Sequence, residues 1–141
     1  MPASDRIRAF VDALPLRPGL RVLEIGCGPD AAIRLVTGRI VPGFILAIDR
    51  SARATDQARQ GSADPIAAGL MDVRTIAAED LVLAKGEAPF DLAFAMRVGA
   101  LGGRHPTAGE LVLKRIAAAL TPKGQLFIDG GNPLRDIGLP R

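Results

Sequence analysis

Aromatic side chains are scarce in this 141-residue chain: it has no tryptophan, no tyrosine and five phenylalanines. A surface that stacks nucleobases needs flat rings, and these phenylalanines sit mostly in apolar, strand-like stretches. Histidine and cysteine each occur once. A lone Cys27 cannot form an internal disulfide, in keeping with a reducing compartment. Lysine is also thin, at Lys85, Lys114 and Lys123, and the rest of the basic charge is arginine. The net charge of +3 is spread along the chain with no run of five or more basic residues, which speaks against nucleic acid as a partner. No apolar run approaches the roughly 18 residues that span a bilayer. The first residues, Met1-Pro-Ala-Ser-Asp-Arg-Ile-Arg8, carry charges where a signal peptide needs an apolar core. A soluble, cytoplasmic protein without membrane contact is expected. The length suits one domain, residues 1–141, burying roughly two-thirds of the surface of its unfolded chain.

What the chain does have is alternation of helix and strand. Ser4 can cap a helix whose apolar positions Ile7, Phe10, Val11 and Leu14 recur at helical spacing until Pro15 stops it. Arg21 to Ile25 reads as the first strand, and Asp30 opens a helix to about Thr37. Phe44 to Ile48 is the second strand, followed by a helix from Ser51 to about Gln60. Asp72 to Ile76 is a short third strand, and Glu79 to about Lys85 a helical turn. Asp91 to Met96 is the fourth strand. Thr107-Ala-Gly-Glu110 reads as a capping box opening a helix to Leu120. Gln125 to Asp129 is the fifth strand. Strands apolar throughout and separated by helices indicate a parallel sheet covered on both faces. Right-handed crossovers give the order 3-2-1-4-5, an α/β, Rossmann-like doubly wound sheet.

The chemistry concentrates at Val22-Leu-Glu-Ile-Gly-Cys-Gly-Pro-Asp30. An apolar strand passes directly into a tight turn, and Gly26 and Gly28 supply backbone angles that other residues resist, with no Cβ to hold a ligand away. About twenty residues on, Asp49 ends the second strand, where a carboxylate can accept hydrogen bonds from ribose hydroxyls. This is the layout of a site for an adenosine-containing cofactor. Gly26-x-Gly28-x-x-Ala31 also fits a dinucleotide pattern. A pyrophosphate at that helix N-terminus would, however, meet Asp30: two like charges about 6 Å apart repel by roughly 3 kcal/mol at an effective dielectric near 20.

With its neighbours, the segment resembles the class I S-adenosylmethionine-dependent methyltransferases. Glu24, Gly26 and Gly28 match the fixed positions of the family's acid-x-Gly-x-Gly-x-Gly motif, with Asp30 in place of the third glycine. Gly43-Phe-Ile-Leu-Ala-Ile-Asp-Arg-Ser51 is similar to its second strand, Phe90-Asp-Leu-Ala-Phe-Ala-Met96 to its fourth, and Leu120-Thr-Pro-Lys-Gly-Gln-Leu-Phe-Ile128 to its turn and fifth strand. The resemblance implies S-adenosyl-L-methionine as cofactor and methyl transfer to a small-molecule acceptor. The implied cofactor-binding residues are Glu24, Gly26, Cys27, Gly28, Asp49, Arg50, Ala78, Glu79 and Met96. A sulfonium and an ammonium among Glu24, Asp30 and Asp49 agree with that reading.

Each of these residues has a plainer alternative. Asp49 can serve only as a turn or cap residue before the Ser51 helix, and Glu24 can simply hold the loop through backbone N–H groups. Asp30 can be a helix N-cap. Cys27 reads as a small packed residue whose backbone N–H faces the ligand. The family's usual adenine-reading acid falls at Ala77, which leaves the N–H groups of Ala78 or Glu79, or the Glu79 or Asp80 side chain, to substitute. Both acids can instead cap the short helix. His105, in Gly102-Gly-Arg-His-Pro106, is the one candidate base, or else a surface loop histidine. Arg97 and Arg104 suit an anionic substrate or solvent. Ala95-Met-Arg-Val98 stands where adenine methylators carry an Asn-Pro-Pro-Tyr motif, which argues against that substrate.

Family members continue past strand five with a helix and an antiparallel strand pair, whereas Gly130 to Arg141 is short and interrupted by Pro133 and Pro140. The sheet is expected to end early. An open strand-five edge is an association hazard, so the tail, a second copy or a partner subunit is expected to cover it. A non-catalytic subunit of the same fold, and an NAD(P)-dependent oxidoreductase, stand as alternative functions.

Overall fold

The computed structural model describes residues 4–27, 32–96 and 106–140. Six strands form one sheet in the order β3-β2-β1-β4-β5-β6. Its centre is β1 (Arg21–Ile25), parallel to β2 (Phe44–Asp49) on one side and β4 (Phe90–Ala95) on the other. Beyond them lie β3 (Met71–Thr75) and β5 (Leu120–Asp129), also parallel. The expected order of the first five strands is therefore found.

Apolar residues on both faces explain why the sheet is covered twice. Val22, Ile45, Ala47, Leu92 and Phe94 face α1 (Asp5–Ala13) and α2 (Ala32–Ile40), while Leu23, Leu46, Ala93 and Leu126 face α5 (Pro106–Ala119). Ser4 caps α1 as its sequence requires, its hydroxyl accepting the Ile7 N–H at 3.2 Å. Phe10 of α1 meets Phe94 of β4 with ring centroids 5.9 Å apart, and both are buried. α3 (Ala52–Gln60) begins after Ser51, whose hydroxyl accepts the Ala54 N–H at 3.1 Å.

Several boundaries differ from those read in the sequence. α2 runs on to Ile40, past Thr37, because Val36 and Ile40 extend its buried stripe. β3 ends at Thr75, and the turn after it is a single 3₁₀ turn, η1 (Ala78–Asp80), in place of a helical segment reaching Lys85. α5 begins at Pro106, so Thr107 lies inside the helix and does not cap it; proline suits a first helical position, where its missing N–H has no partner to lose. A short helix, α4 (Ala63–Ala67), has no counterpart in the sequence reading. β5 starts at Leu120, five residues early. Phe90 pairs with Leu120 and Leu92 with Gln125, so Thr121, Pro122, Lys123 and Gly124 bulge opposite Asp91 alone.

The tail covers the strand-five edge. β6 (Leu134–Ile137) pairs antiparallel with β5, placing Ile137 beside Leu126 and Leu134 beside Asp129. The connecting turn needs glycine at Gly131, where a Cβ would run into the Leu134 carbonyl. The new edge is blunted by its shortness, by Pro133, and by the exposed charges of Arg135 and Asp136.

Candidate functional site

The order of connection reverses at β1, although its neighbours run parallel to it: the chain leaves β1 for β2 on one side and later returns to β4 on the other. A crevice at the carboxyl ends of these strands is where α/β folds bind ligands. Seven of the sequence-read positions lie there or on the adjacent turn. Gly26 takes φ +71°, a left-handed conformation that side chains with a Cβ resist. Its N–H and that of Cys27 both donate to the Ile48 carbonyl, at 2.8 and 3.1 Å, which folds the turn back over the tip of β2. The expectation that the Cys27 N–H faces a ligand is thereby corrected, since that donor is spent on β2. The Cys27 side chain is buried in the core beside the α1 and α2 face.

Asp49 ends β2, partly exposed, and is held through both its side chain and its carbonyl. Its Oδ1 accepts the Ser51 N–H at 2.9 Å, its carbonyl accepts the Ile76 N–H at 2.9 Å, and Ser51 in turn caps α3. The helix cap is Ser51, not Asp49. What the turn does for Asp49 is orient a carboxylate at the strand tip beside Gly26. Glu24 lies one residue before that turn, 1% exposed, in register with Ala47 and Phe94. Its carboxylate lies beneath the mouth, on the α1 and α2 side.

The far wall is η1. Ile76 and Ala78 pack into the core on the α5 side, and Ala77 is extended, which leads the chain across the ends of β2 and β3. The first N–H groups of a helical turn have no partner inside it, so Ala78 and Glu79 present backbone donors. The Glu79 carboxylate is engaged: Arg50 Nη2 lies 2.9 Å from Oε2 and 3.2 Å from Oε1. The Glu79 carbonyl accepts Arg115 Nε at 3.1 Å. Met96, at the end of β4, is 9% exposed and packs with the core cluster that includes Cys27 and Phe94. On the next strand Asp129 ends β5 and pairs with Arg6 of α1 at 2.7 Å.

The structure thus brings Glu24, Gly26, Asp49, Arg50, Ala78, Glu79 and Met96 to the carboxyl ends of β1, β2 and β4 and the adjacent η1. Gly28, Asp30, Arg97, Arg104 and His105 lie outside the described residues. Asp49 is a turn residue before the Ser51 helix, one of the roles its sequence allowed, and it accepts the Ser51 N–H while the Ser51 hydroxyl caps α3. Arg115 has no local signal in the sequence, since it acts across 36 residues. No helix among the described residues is long and apolar enough to cross a membrane.

Comparison with known proteins agrees with this geometry. Residues 23–128 match the model of the methyltransferase domain family. The chain belongs to that family, the S-adenosylmethionine-dependent methyltransferases of class I. An uncharacterized 37.1 kDa protein in transposon Tn4556 of Streptomyces fradiae is 33% identical over 87 residues, covering 57% of this chain and 25% of that protein. Among solved structures, coclaurine N-methyltransferase bound to N-methylheliamine and S-adenosylhomocysteine superposes with a TM-score of 0.70 at 17% identity, over 86% of this chain and 34% of its own. The [4+2]-cyclase SpnF does so at 0.71 and 23%, over 88% and 43%. The chain therefore spans less than half the length of each of these proteins. At such identities the structures share the fold, and a cyclase among them illustrates that this fold hosts more than one reaction.

Proposed function

We propose that the chain binds S-adenosylmethionine at the carboxyl ends of β1, β2 and β4 and transfers its methyl group to a small-molecule acceptor. One observation carries the reading: the Asp49 carboxylate stands at the tip of β2, held by the Ser51 N–H at 2.9 Å, next to a turn that Gly26 keeps free of side chain. The fit is good in kind. A carboxylate presented at a strand tip suits vicinal ribose hydroxyls, and the N–H groups of Ala78 and Glu79 suit the acceptor nitrogens of adenine. When bound, the cofactor supplies an electrophilic methyl on a sulfonium.

The described residues then act by positioning. Asp49 orients the nucleoside, Gly26 permits close approach, and the buried Glu24 lies one residue before that turn. Alignment and exclusion of water supply much of the rate in a displacement of this kind. A base is needed only for an acceptor that must lose a proton, and His105 remains the candidate. A reducing, cytoplasmic setting accords with the single cysteine.

Isothermal titration with S-adenosylhomocysteine, beside an Asp49→Ala variant, tests the reading. Micromolar binding that the variant loses is expected. Absence of binding to a folded sample overturns it. The second reading, a non-catalytic subunit, is favoured by one feature, the engagement of the Glu79 carboxylate by Arg50 beside Ala77, which leaves the Ala78 and Glu79 N–H groups and the Asp80 side chain of η1 to read adenine. Binding without turnover in any acceptor screen would select it.

A further inference from the structure

A second cleft, of about 480 Å³, opens at the opposite end of the sheet, between the loop joining α1 to β1 and the bulge of β5. It exists because Thr121 to Gly124 leave the β4–β5 ladder opposite Asp91, parting the two strands where they begin. β1 runs five residues from this end to the Gly26 turn, and at about 3.3 Å per residue the two sites lie roughly 16 Å apart. The cleft is therefore no part of the crevice assigned to the cofactor.

Its walls have a definite chemistry. Arg17 approaches from the α1–β1 loop and Lys123 from the β5 bulge. Both are exposed, and neither forms a hydrogen bond or ion pair among the described residues. Between them the lining is apolar, with Leu20 and Leu92 buried as a floor and Pro15 and Pro122 at the sides. The other polar groups are already committed. The Asp91 carboxylate accepts the Arg21 N–H at 2.9 Å, and the Gln125 amide donates to Asp136 at 2.9 Å. Two cations against one carboxylate leave a single positive charge to be balanced. The volume lies within the range that holds small organic ligands.

We propose that this cleft binds a small organic monoanion with an apolar body, an aromatic or branched-chain carboxylate, with Arg17 and Lys123 as its counter-charges. The apolar body covers Leu20 and Leu92, and the head group lies between the two cations. The proposal is independent of methyl transfer.

The test is a titration of the uniformly ¹⁵N-labelled protein with benzoate, followed by amide chemical shifts. Saturable shifts confined to Leu20, Leu92 and the Thr121–Gln125 segment are expected, and the Arg17→Ala/Lys123→Ala double variant should weaken them at least ten-fold. Both side chains are exposed, so the variant keeps the core intact, and its unchanged spectrum elsewhere verifies this. Benzamide, neutral and of the same shape, should give no saturable shift. Absence of saturable shifts with benzoate, equal response to benzamide, equal competition by inorganic phosphate, or an unaffected double variant would each overturn the proposal.

Discussion

Arg50 reaches from the tip of β2 to the Glu79 carboxylate in η1, with Nη2 2.9 Å from one oxygen and 3.2 Å from the other. The pair fixes the distance between the strand end that presents Asp49 and the turn that presents the Ala78 N–H. Arg50 is 70% exposed, so the energy at stake is that of a surface ion pair, up to about 1 kcal/mol. Arg50→Ala and Glu79→Gln should each weaken S-adenosylhomocysteine binding by roughly two- to five-fold. A double-mutant cycle by calorimetry should show that the two losses do not add, and the coupling should shrink at high salt. Additive losses would mean the two side chains act separately.

A second ion pair makes stability depend on pH. Burial pushes the Glu87 carboxyl up, but the Arg74 side chain at 3.0 Å, the Ala84 N–H at 2.9 Å and the charges of Arg74 and Arg21 outweigh it, and the net direction is down. A carboxyl lowered in the folded state binds its proton less readily there than in the unfolded chain. Its contribution is complete above the ordinary glutamate range and is lost as pH falls through the lowered value. Urea unfolding of the wild type should therefore lose stability on acidification below about pH 4.5. Glu87→Gln should remove part of that slope and cost on the order of 1 kcal/mol at pH 7. An unchanged slope would refute the assignment.

Much of this was legible beforehand, and the misses share a cause. The uninterrupted apolar runs of β1, β2 and β4 announced a doubly covered parallel sheet, and Asp49 at the end of such a run announced the strand tip. α4 escaped because Ala-Asp-Pro-Ile-Ala67 is too short to show a helical period and contains Pro65. Thr121-Pro-Lys-Gly124 read as a plain turn, since nothing local reveals that Leu120 before it already pairs with Phe90. β6 is four residues between prolines, an edge strand defined by its partner β5 more than by its own pattern. The direction of the Cys27 N–H and the reach of Arg50 to Glu79 are tertiary facts, set by how the β1 turn and η1 lie over β2.

Ser62 offers a stabilising substitution. It precedes α4 and is 1% exposed, yet its hydroxyl makes no hydrogen bond to the helix it begins or to any other described residue. A buried hydroxyl without a partner costs about 1–3 kcal/mol in lost hydration. Ser62→Ala removes the hydroxyl and leaves a void of one oxygen atom. Thermal unfolding should shift upward by roughly 3–5 °C, in line with about 1 kcal/mol for a domain of this size. A decrease would indicate that the hydroxyl has a bound water as its partner.

The β5–β6 pairing makes the most consequential prediction. Leu126, Phe127 and Ile128 are buried, and β5 has β4 on one side and β6 on the other. Removing residues 130–141 takes away β6 and the Leu139 contact with the α5-side core, leaving the backbone donors and acceptors of an apolar strand facing water. Such an edge recruits another strand. The truncated protein should unfold at lower temperature, by roughly 3–10 °C if it loses about 1–2 kcal/mol, and should sediment as concentration-dependent oligomers beside the 141-residue chain measured under the same conditions. A milder variant separates pairing from mere loss of mass. Gly131→Val obstructs the turn against the Leu134 carbonyl while keeping the tail, and it should reproduce the association. If the truncated chain remains monomeric and its β5 amides stay protected from exchange, β6 is dispensable and the edge is guarded by something other than strand pairing.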